Sequence, residues 1–160
     1  MSEGGQGPGV KGQGYQQLVA WQRAHELALA VFHAAQALPG AHGWLRTQCC
    51  KSAVSVAANI AEGYSRGSFR EYIQFLNIAR GSLAETEYHL LFMRDAGLLG
   101  EEAFVKVDAK RREAASLLLG LIRSLQTKAE TTPRGGRRIS EERMEYAPTL
   151  SDGNTMTLDP

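Results

Sequence analysis

Asn59, Glu62, Ser82 and Glu85 stand beside the apolar positions of two neighbouring periodic segments. Two carboxylates meeting across such a boundary are material for acid–base or metal chemistry. The same residues also suit a buried polar network that fixes helix register, because carboxylates taken out of water demand hydrogen-bond donors. The network is the expected role, and Glu85 and His89, one helical turn apart, are placed to share a hydrogen bond. A di-iron centre asks for Glu-x-x-His on two helices. Three residues before His25, His33, His42 and His89 stand Gln22, Ala30, Pro39 and Thr86, so no copy of that motif is complete. His25-Glu26 is followed by Leu29 where a zinc-binding HExxH helix needs its second histidine, and neither GxxxxGK[ST] nor GxGxxG occurs. Cys49 and Cys50 are adjacent rather than spaced as CxxC, which suits neither zinc nor a redox dithiol. No catalytic residue, metal or cofactor is therefore expected, and the chain reads as a non-enzyme.

A different chemistry belongs to the cations. Between Tyr15 and Lys128 there are nine arginines to four lysines, a bias toward bidentate contacts with phosphate or carboxylate. Lys51, Arg80, Arg111 and Arg112 are the expected nucleic-acid contacts. For any one of them the plainer role is a solvated face paired with nearby glutamates. Arg111 differs, because it interrupts an apolar seam and must pair with a carboxylate in the bundle or point into a subunit interface or channel. Pro133-Arg134-Gly135-Gly136-Arg137-Arg138 is a single RGG-like copy beside Glu141 and Glu142. The stretch 15–128 carries 13 basic against 10 acidic side chains, a surplus of three. That is far from the dense basic stripe of a strong nucleic-acid binder, so clustering or oligomerisation has to supply the surface.

Four helices must position these groups. In the first, two adjoining stripes run at spacings of three and four: Leu18, Trp21, His25, Ala28, Phe32, Ala35, and beside them Ala20, Ala24, Leu27, Val31, Ala34, Leu38. Together they predict a wide buried face ended by Pro39-Gly40. A second helix from about Leu45 to Tyr64 carries Leu45, Cys49, Ser52, Val56 and Ile60 on one side, with small residues that allow close approach. Ser68-Phe69-Arg70-Glu71 fits the capping box and predicts the start of a third helix, closed by Gly97. Gly81 inside it costs about 1 kcal/mol relative to alanine, and close packing against the second helix is the expected return. In the fourth, Phe104, Val107, Arg111, Ala114, Leu118, Leu121 and Leu125 form a heptad seam.

Of the 160 residues, 43% are hydrophobic and 22% charged, near globular averages. Residues 1–14 hold six glycines, and 129–160 turn to Thr, Pro, Gly and charge, so both ends are expected to be disordered around a bundle at 15–128. The most apolar stretch, Ala114 to Ile122, is too short to span a bilayer, and Met1-Ser2-Glu3-Gly4 has no signal-peptide character. A cytoplasmic location away from membranes is the expectation. Helices of about 20 residues run roughly 30 Å, and four of them on short turns predict an all-α, antiparallel up-down four-helix bundle.

Leu18-x-x-Trp21, Leu45-x-x-Gln48, the run Ser55-Val56-Ala57-Ala58-Asn59-Ile60-Ala61-Glu62-Gly63 with Arg66, and Phe75-Leu76-x-x-Ala79-Arg80-Gly81-Ser82-x-x-Glu85 occur in order. On these residues Leu18 to Leu125 resembles the bacterial 23S ribosomal RNA intervening-sequence proteins and, more distantly, the accessory protein of diversity-generating retroelements. The turn Pro39 to Trp44 departs from the acidic and aromatic residues usual there, and Cys50 replaces an often basic residue, leaving Lys51. The resemblance implies a left-handed antiparallel bundle, assembly into a homo-oligomeric ring, a pentamer, and no established enzymatic activity. It also implies RNA, DNA or a nucleoprotein as partner. The functional expectation is a non-catalytic homo-oligomer associated with nucleic acid or a nucleoprotein. Its alternative is an adaptor that docks another polypeptide, such as a reverse transcriptase, without touching nucleic acid.

Overall fold

The computed structural model describes residues 14–131, and both expected disordered tails lie almost wholly outside them. A 3-10 turn at Tyr15–Gln17 leads into α1 (Val19–Gln36), α2 (Gly43–Tyr64), α3 (Phe69–Asp95) and α4 (Glu101–Thr131). The described residues contain no strand. Each helix packs against its neighbours in the chain, and α4 closes the square against α1, while the backbones of diagonal helices stay more than 8 Å apart between Cα atoms. Ser52 meets Thr86 and Ser55 meets Ser82, so α2 and α3 run antiparallel. Arg94 lies over the Phe104 ring and Arg111 reaches Glu87, which gives α3 and α4 the same relation.

The ends of the helices follow from identifiable side chains. Arg46 of α2 donates from Nε to Ala35 O at 3.2 Å, which also accepts from Leu38 N, and from Nη2 to Leu38 O at 2.7 Å, tying α2 to the C-terminal end of α1 near Pro39. Ser68 caps α3 by accepting from Glu71 N at 3.3 Å, but the return contact differs from a capping box. The Ser68 hydroxyl itself donates to the Glu71 carboxylate at 2.9 Å. At the far end Leu98 N donates to Met93 O and Gly97 N to Arg94 O, a Schellman closure that needs the left-handed φ of +72° at Gly97.

Leu27, Val31, Leu45, Val56, Ile60, Tyr72, Leu76, Leu90, Met93 and Leu118 fill the core. Of the two stripes predicted on α1, the one through Ala24, Leu27 and Val31 is buried. On the other, His25 and Phe32 face outward, with the His25 ring stacked on Trp21 at 5.1 Å and 6°. The α4 seam follows the predicted one through Phe104, Val107, Ala114, Leu118 and Leu125, which are buried, with Arg111 partly buried between them; near the end Ile122 takes the buried place expected of Leu121, which is only partly buried.

The close approach of α2 and α3 is real, but a different glycine permits it. Gly81 has open space where a Cβ would stand, because its position on α3 looks away from α2. At Gly63 a Cβ would meet Tyr72 Cδ2 at 2.6 Å and Phe75 Cβ at 2.9 Å, so the crossing tolerates only hydrogen there. Arg66, three residues on, completes the corner. Arg66 pairs with Glu62 and lays its guanidinium over the Phe75 ring at 4.4 Å.

Candidate functional site

Along the α2–α3 seam, hydroxyl groups replace some of the apolar contacts. Asn59 Nδ2 donates to Ser55 O at 2.7 Å and Ser55 Oγ at 3.0 Å, and Ser82 Oγ donates to Ser55 Oγ at 3.0 Å. One turn along, Thr86 Oγ1 lies 3.1 Å from Ser52 Oγ and 2.8 Å from Ser82 O. Ser52 Oγ in turn lies 3.0 Å from Cys49 O and 3.2 Å from His89 Nδ1. Each hydroxyl has one proton. If Ser52 gives its proton to Cys49 O, His89 must carry hydrogen on Nδ1 and donate to Ser52; if His89 is the acceptor, Ser52 donates to it.

The expected network is thus half present and differently composed. Asn59 and Ser82 join it through Ser55. Glu62 and Glu85 do not, since both are exposed. Glu62 turns to Arg66, and the ring nitrogen of His89 meets Ser52 rather than Glu85. Ser52, Ser55, Thr86 and His89 are the members that carboxylate-centred reasoning passes over. Their spacing was a signal, because 52 and 55 on α2 and 82, 86 and 89 on α3 recur at three and four.

Burial pushes the His89 imidazole below its ordinary pKa, with the nearby Glu85 charge opposing that shift. Desolvation also pushes the Cys49 thiol up to about 12, with Cys50 adding to the effect. A Ser–His contact has the form of a nucleophile and its base. Ser52 is only 2% exposed, however, so the pair faces the neighbouring helix rather than solvent. Tyr72 is fully buried as well, its phenol pushed well above the usual range and its hydroxyl without a hydrogen-bond partner among the described residues. Among the described residues no group of three or more His, Cys, Asp or Glu gathers as a metal site, and no helix is long and apolar enough to cross a membrane.

The four cations expected to contact nucleic acid fall into two groups. Arg111 has a side chain only 11% exposed, donating from Nε to Asp108 at 2.6 Å and pairing with Glu87 of α3 at 3.0 Å. It has taken the carboxylate-pairing role within the bundle. Arg112 is exposed but shares Asp108 at 3.1 Å. Arg80 lies on the same α3 stripe as Glu87 and Arg94, seven residues apart, on the flank toward α4. Lys51 projects from α2 on the far side of α3, so the four do not form one surface. Lys51 and Arg80 are exposed and have no ion-pair partner among the described residues, as is true of Arg70 and Arg123.

Aromatic groups make the most conspicuous surface feature. Trp44 and Tyr88 are 59% and 63% exposed, and both approach Phe92, with ring centroids 6.3 and 6.4 Å away. Isolated exposed apolar residues are ordinary, whereas here three contiguous rings spanning two helices form one exposed apolar patch.

Fold and site together define a helical bundle with a polar seam, a committed ion-pair cluster and an aromatic surface patch. The match to known proteins is more specific. The family model of the 23S rRNA-intervening sequence protein matches residues 16–120, and the chain belongs to that family. It is also similar to a crystal structure of a protein with unknown function from the S23 ribosomal protein family of Bacteroides thetaiotaomicron VPI-5482. The two share 25% sequence identity with a TM-score of 0.62, over 66% of this chain and 99% of that one. No curated protein matches the chain.

Proposed function

We propose that the protein is a non-catalytic, self-associating helical module that works in the cytoplasm bound to nucleic acid or to a nucleoprotein. The observation that carries this reading is a surface with unspent binding groups. Trp44, Tyr88 and Phe92 form an exposed aromatic patch, while Lys51, Arg70, Arg80 and Arg123 have no ion-pair partner among the described residues. A surplus of three positive charges per folded chain is too small for tight phosphate binding by a monomer. An assembly repeats every free cation around its axis and focuses the potential, so self-association becomes a condition of binding. The family name, which ties its members to intervening sequences of 23S rRNA, agrees with an RNA partner.

The test is binding of a structured RNA and of duplex DNA as a function of salt, with the mass of the protein followed by light scattering. The proposal expects an oligomer whose binding has little sequence preference and falls steeply with salt. Charge reversal at Arg80 should weaken binding equally for all sequences. The aromatic patch also favours a second reading, the adaptor that docks another polypeptide such as a reverse transcriptase. That reading expects no nucleic-acid binding even at low salt, and such a result would replace the first reading with it.

A further inference from the structure

The contacts between α3 and α4 fix the register of the surface they share. Arg94 lies over the Phe104 ring and Glu87 pairs with Arg111, so seven residues back along α3 answer to seven forward along α4. Carried on, this register puts Arg80 level with Leu118 and Arg70 level with the last turns of α4, and Arg123 falls midway between the two arginines of α3. Each step of five residues is about 7.5 Å of helix. Arg80 stands on the flank of α3 that carries Glu87 and Arg94, the flank toward α4. Arg123 is eleven residues, about three turns, from Arg112, which shares Asp108 with Arg111, so it stands on the side of α4 toward α3. Arg70 lies about 80° further round α3, on its solvent side.

Three features of this face bear on its occupant. First, Arg70, Arg80 and Arg123 are exposed and have no ion-pair partner among the described residues. Second, no carboxylate stands among them. Glu87 and Asp108 are committed to Arg111 and Arg112, Glu113 reaches Arg23 of α1, and Glu130 lies beyond Arg70 at the end of α4. The exposed residues between the arginines, Asn77 and Leu119, are uncharged. Third, α4 runs out at Thr131, beside the Arg70 end of the face, and Arg134 of the RGG-like run follows three residues later. Three residues span at most about 10 Å, so covalent reach alone keeps Arg134 next to this end of the bundle.

We infer that Arg70, Arg80 and Arg123, continued by Arg134, Arg137 and Arg138, form one phosphate-binding track for a single nucleic-acid strand. The inference rests on the nucleic-acid reading proposed above and gives it a surface and a strand form. Arginine forks hold phosphate oxygens bidentately, and a positive groove that follows the backbone, with RGG segments beside it, is how single strands are held without sequence preference. An acidic polypeptide is a poorer occupant. Protein contacts gather round well-packed anchors, often aromatic, and the exposed rings of Trp44 and Phe92 border the α2 side of α3 instead. Six arginines neutralise at most six phosphates per chain, which sets a slope of log affinity against log salt of roughly −4 for a single strand, of which the three on the bundle supply about −2.

The experiment titrates the full chain with a single-stranded RNA of mixed sequence over a range of salt, with helicity followed by circular dichroism. Arg80→Gln and Arg123→Gln together should keep full helicity, flatten the salt slope by about 1.4 and lower affinity at low salt by roughly tenfold. Arg134→Gln, Arg137→Gln and Arg138→Gln together should flatten it by about 2. Lys106→Gln removes the same charge from an exposed residue paired with Glu102, off the track, and should leave the slope unchanged. A wild-type chain that binds neither single strands, structured RNA nor duplex DNA at low salt overturns the nucleic-acid reading itself. A wild type that binds only duplexes, or binds the single strand with a slope that the Arg80 and Arg123 pair does not alter, overturns this track alone. So does a glutamate polymer that binds as tightly as the RNA and loses as much in the same variants, because the face then belongs to an acidic polypeptide.

Discussion

Two glycines on adjoining helices should respond to alanine with opposite signs. At Gly63 an added Cβ would stand 2.6 Å from Tyr72 Cδ2, 3.0 Å from Tyr72 Cε2 and 2.9 Å from Phe75 Cβ. Carbon atoms pack at about 3.5–4.0 Å, so the shortfall is close to 1 Å. Tyr72 is fully buried and its ring has no free side to turn into, while Phe75 Cβ is fixed to the backbone. Relief therefore requires α2 and α3 to separate at their corner. Overpacking of this kind costs about 1–3 kcal/mol, and the backbone contact places Gly63→Ala toward the upper part of that range. The helix-propensity gain of about 1 kcal/mol offsets part, leaving a net loss of roughly 1–2 kcal/mol. At Gly81 nothing lies within 4 Å, so the same substitution gains roughly 0.5–1 kcal/mol. Thermal and urea unfolding, at concentrations low enough for the chain to be single, should separate the two variants by about 1.5–3 kcal/mol, or roughly 10 °C in Tm. Equal stability of Gly63→Ala and the parent would refute the close α2–α3 corner. A destabilised Gly81→Ala would show that Gly81 is in contact within the chain.

Three further outcomes follow from the buried groups. The His89 pKa is lowered in the folded chain relative to the ordinary 6.5, so the unfolded chain binds the proton more readily. Stability should be constant above that value and fall as pH drops below it toward the folded pKa; in His89→Gln this decline should disappear from unfolding curves. Cys49, with its thiol pushed up to about 12, and the partly buried Cys50, also raised, should react slowly with a thiolate-specific reagent at neutral pH and quickly after unfolding. Fast native labelling of Cys49 would contradict its burial. Arg111→Ala should cost roughly 2 kcal/mol by leaving Asp108 and Glu87 without their charge-assisted partner, while Arg112→Ala, at an exposed position, should change stability by about 0.5 kcal/mol or less. Double-mutant cycles with Asp108 measure both.

The parts of the fold legible in the sequence are those set by local rules. Ser68 and Gly97 announce the ends of α3 because capping depends on a few neighbouring residues. The α4 seam is legible because its periodicity continues through six intervals. What the sequence conceals depends on which neighbour a residue meets. Gly63 and Gly81 are both glycines near an apolar stripe, and only the rotation of α2 against α3 decides which one receives Tyr72. The same holds for the polar seam. Serine and threonine can return a hydrogen bond to their own helix, so Ser52 and Thr86 look self-sufficient in sequence until the partner helix brings them within 3.1 Å. Glu62 and Glu85 draw attention as carboxylates, yet charge is what a helix keeps in water unless a partner is supplied.

The residues that carry the family likeness mostly serve the fold. Ser55, Asn59 and Ser82 tie the seam, Gly63 admits Tyr72, and Arg66 bridges Glu62 and the Phe75 ring. Family membership therefore explains why α2 and α3 meet as they do, and a protein can share that corner without sharing a partner. Gly81 and Glu85 belong to the same run and do none of this work inside the chain, since one leaves space and the other faces water. Both are exposed, as are Lys51, Trp44 and Tyr88 on the same two helices. The α2–α3 pair thus has an inner side that closes the bundle and an outer side on which Lys51, Trp44 and Tyr88 stand exposed.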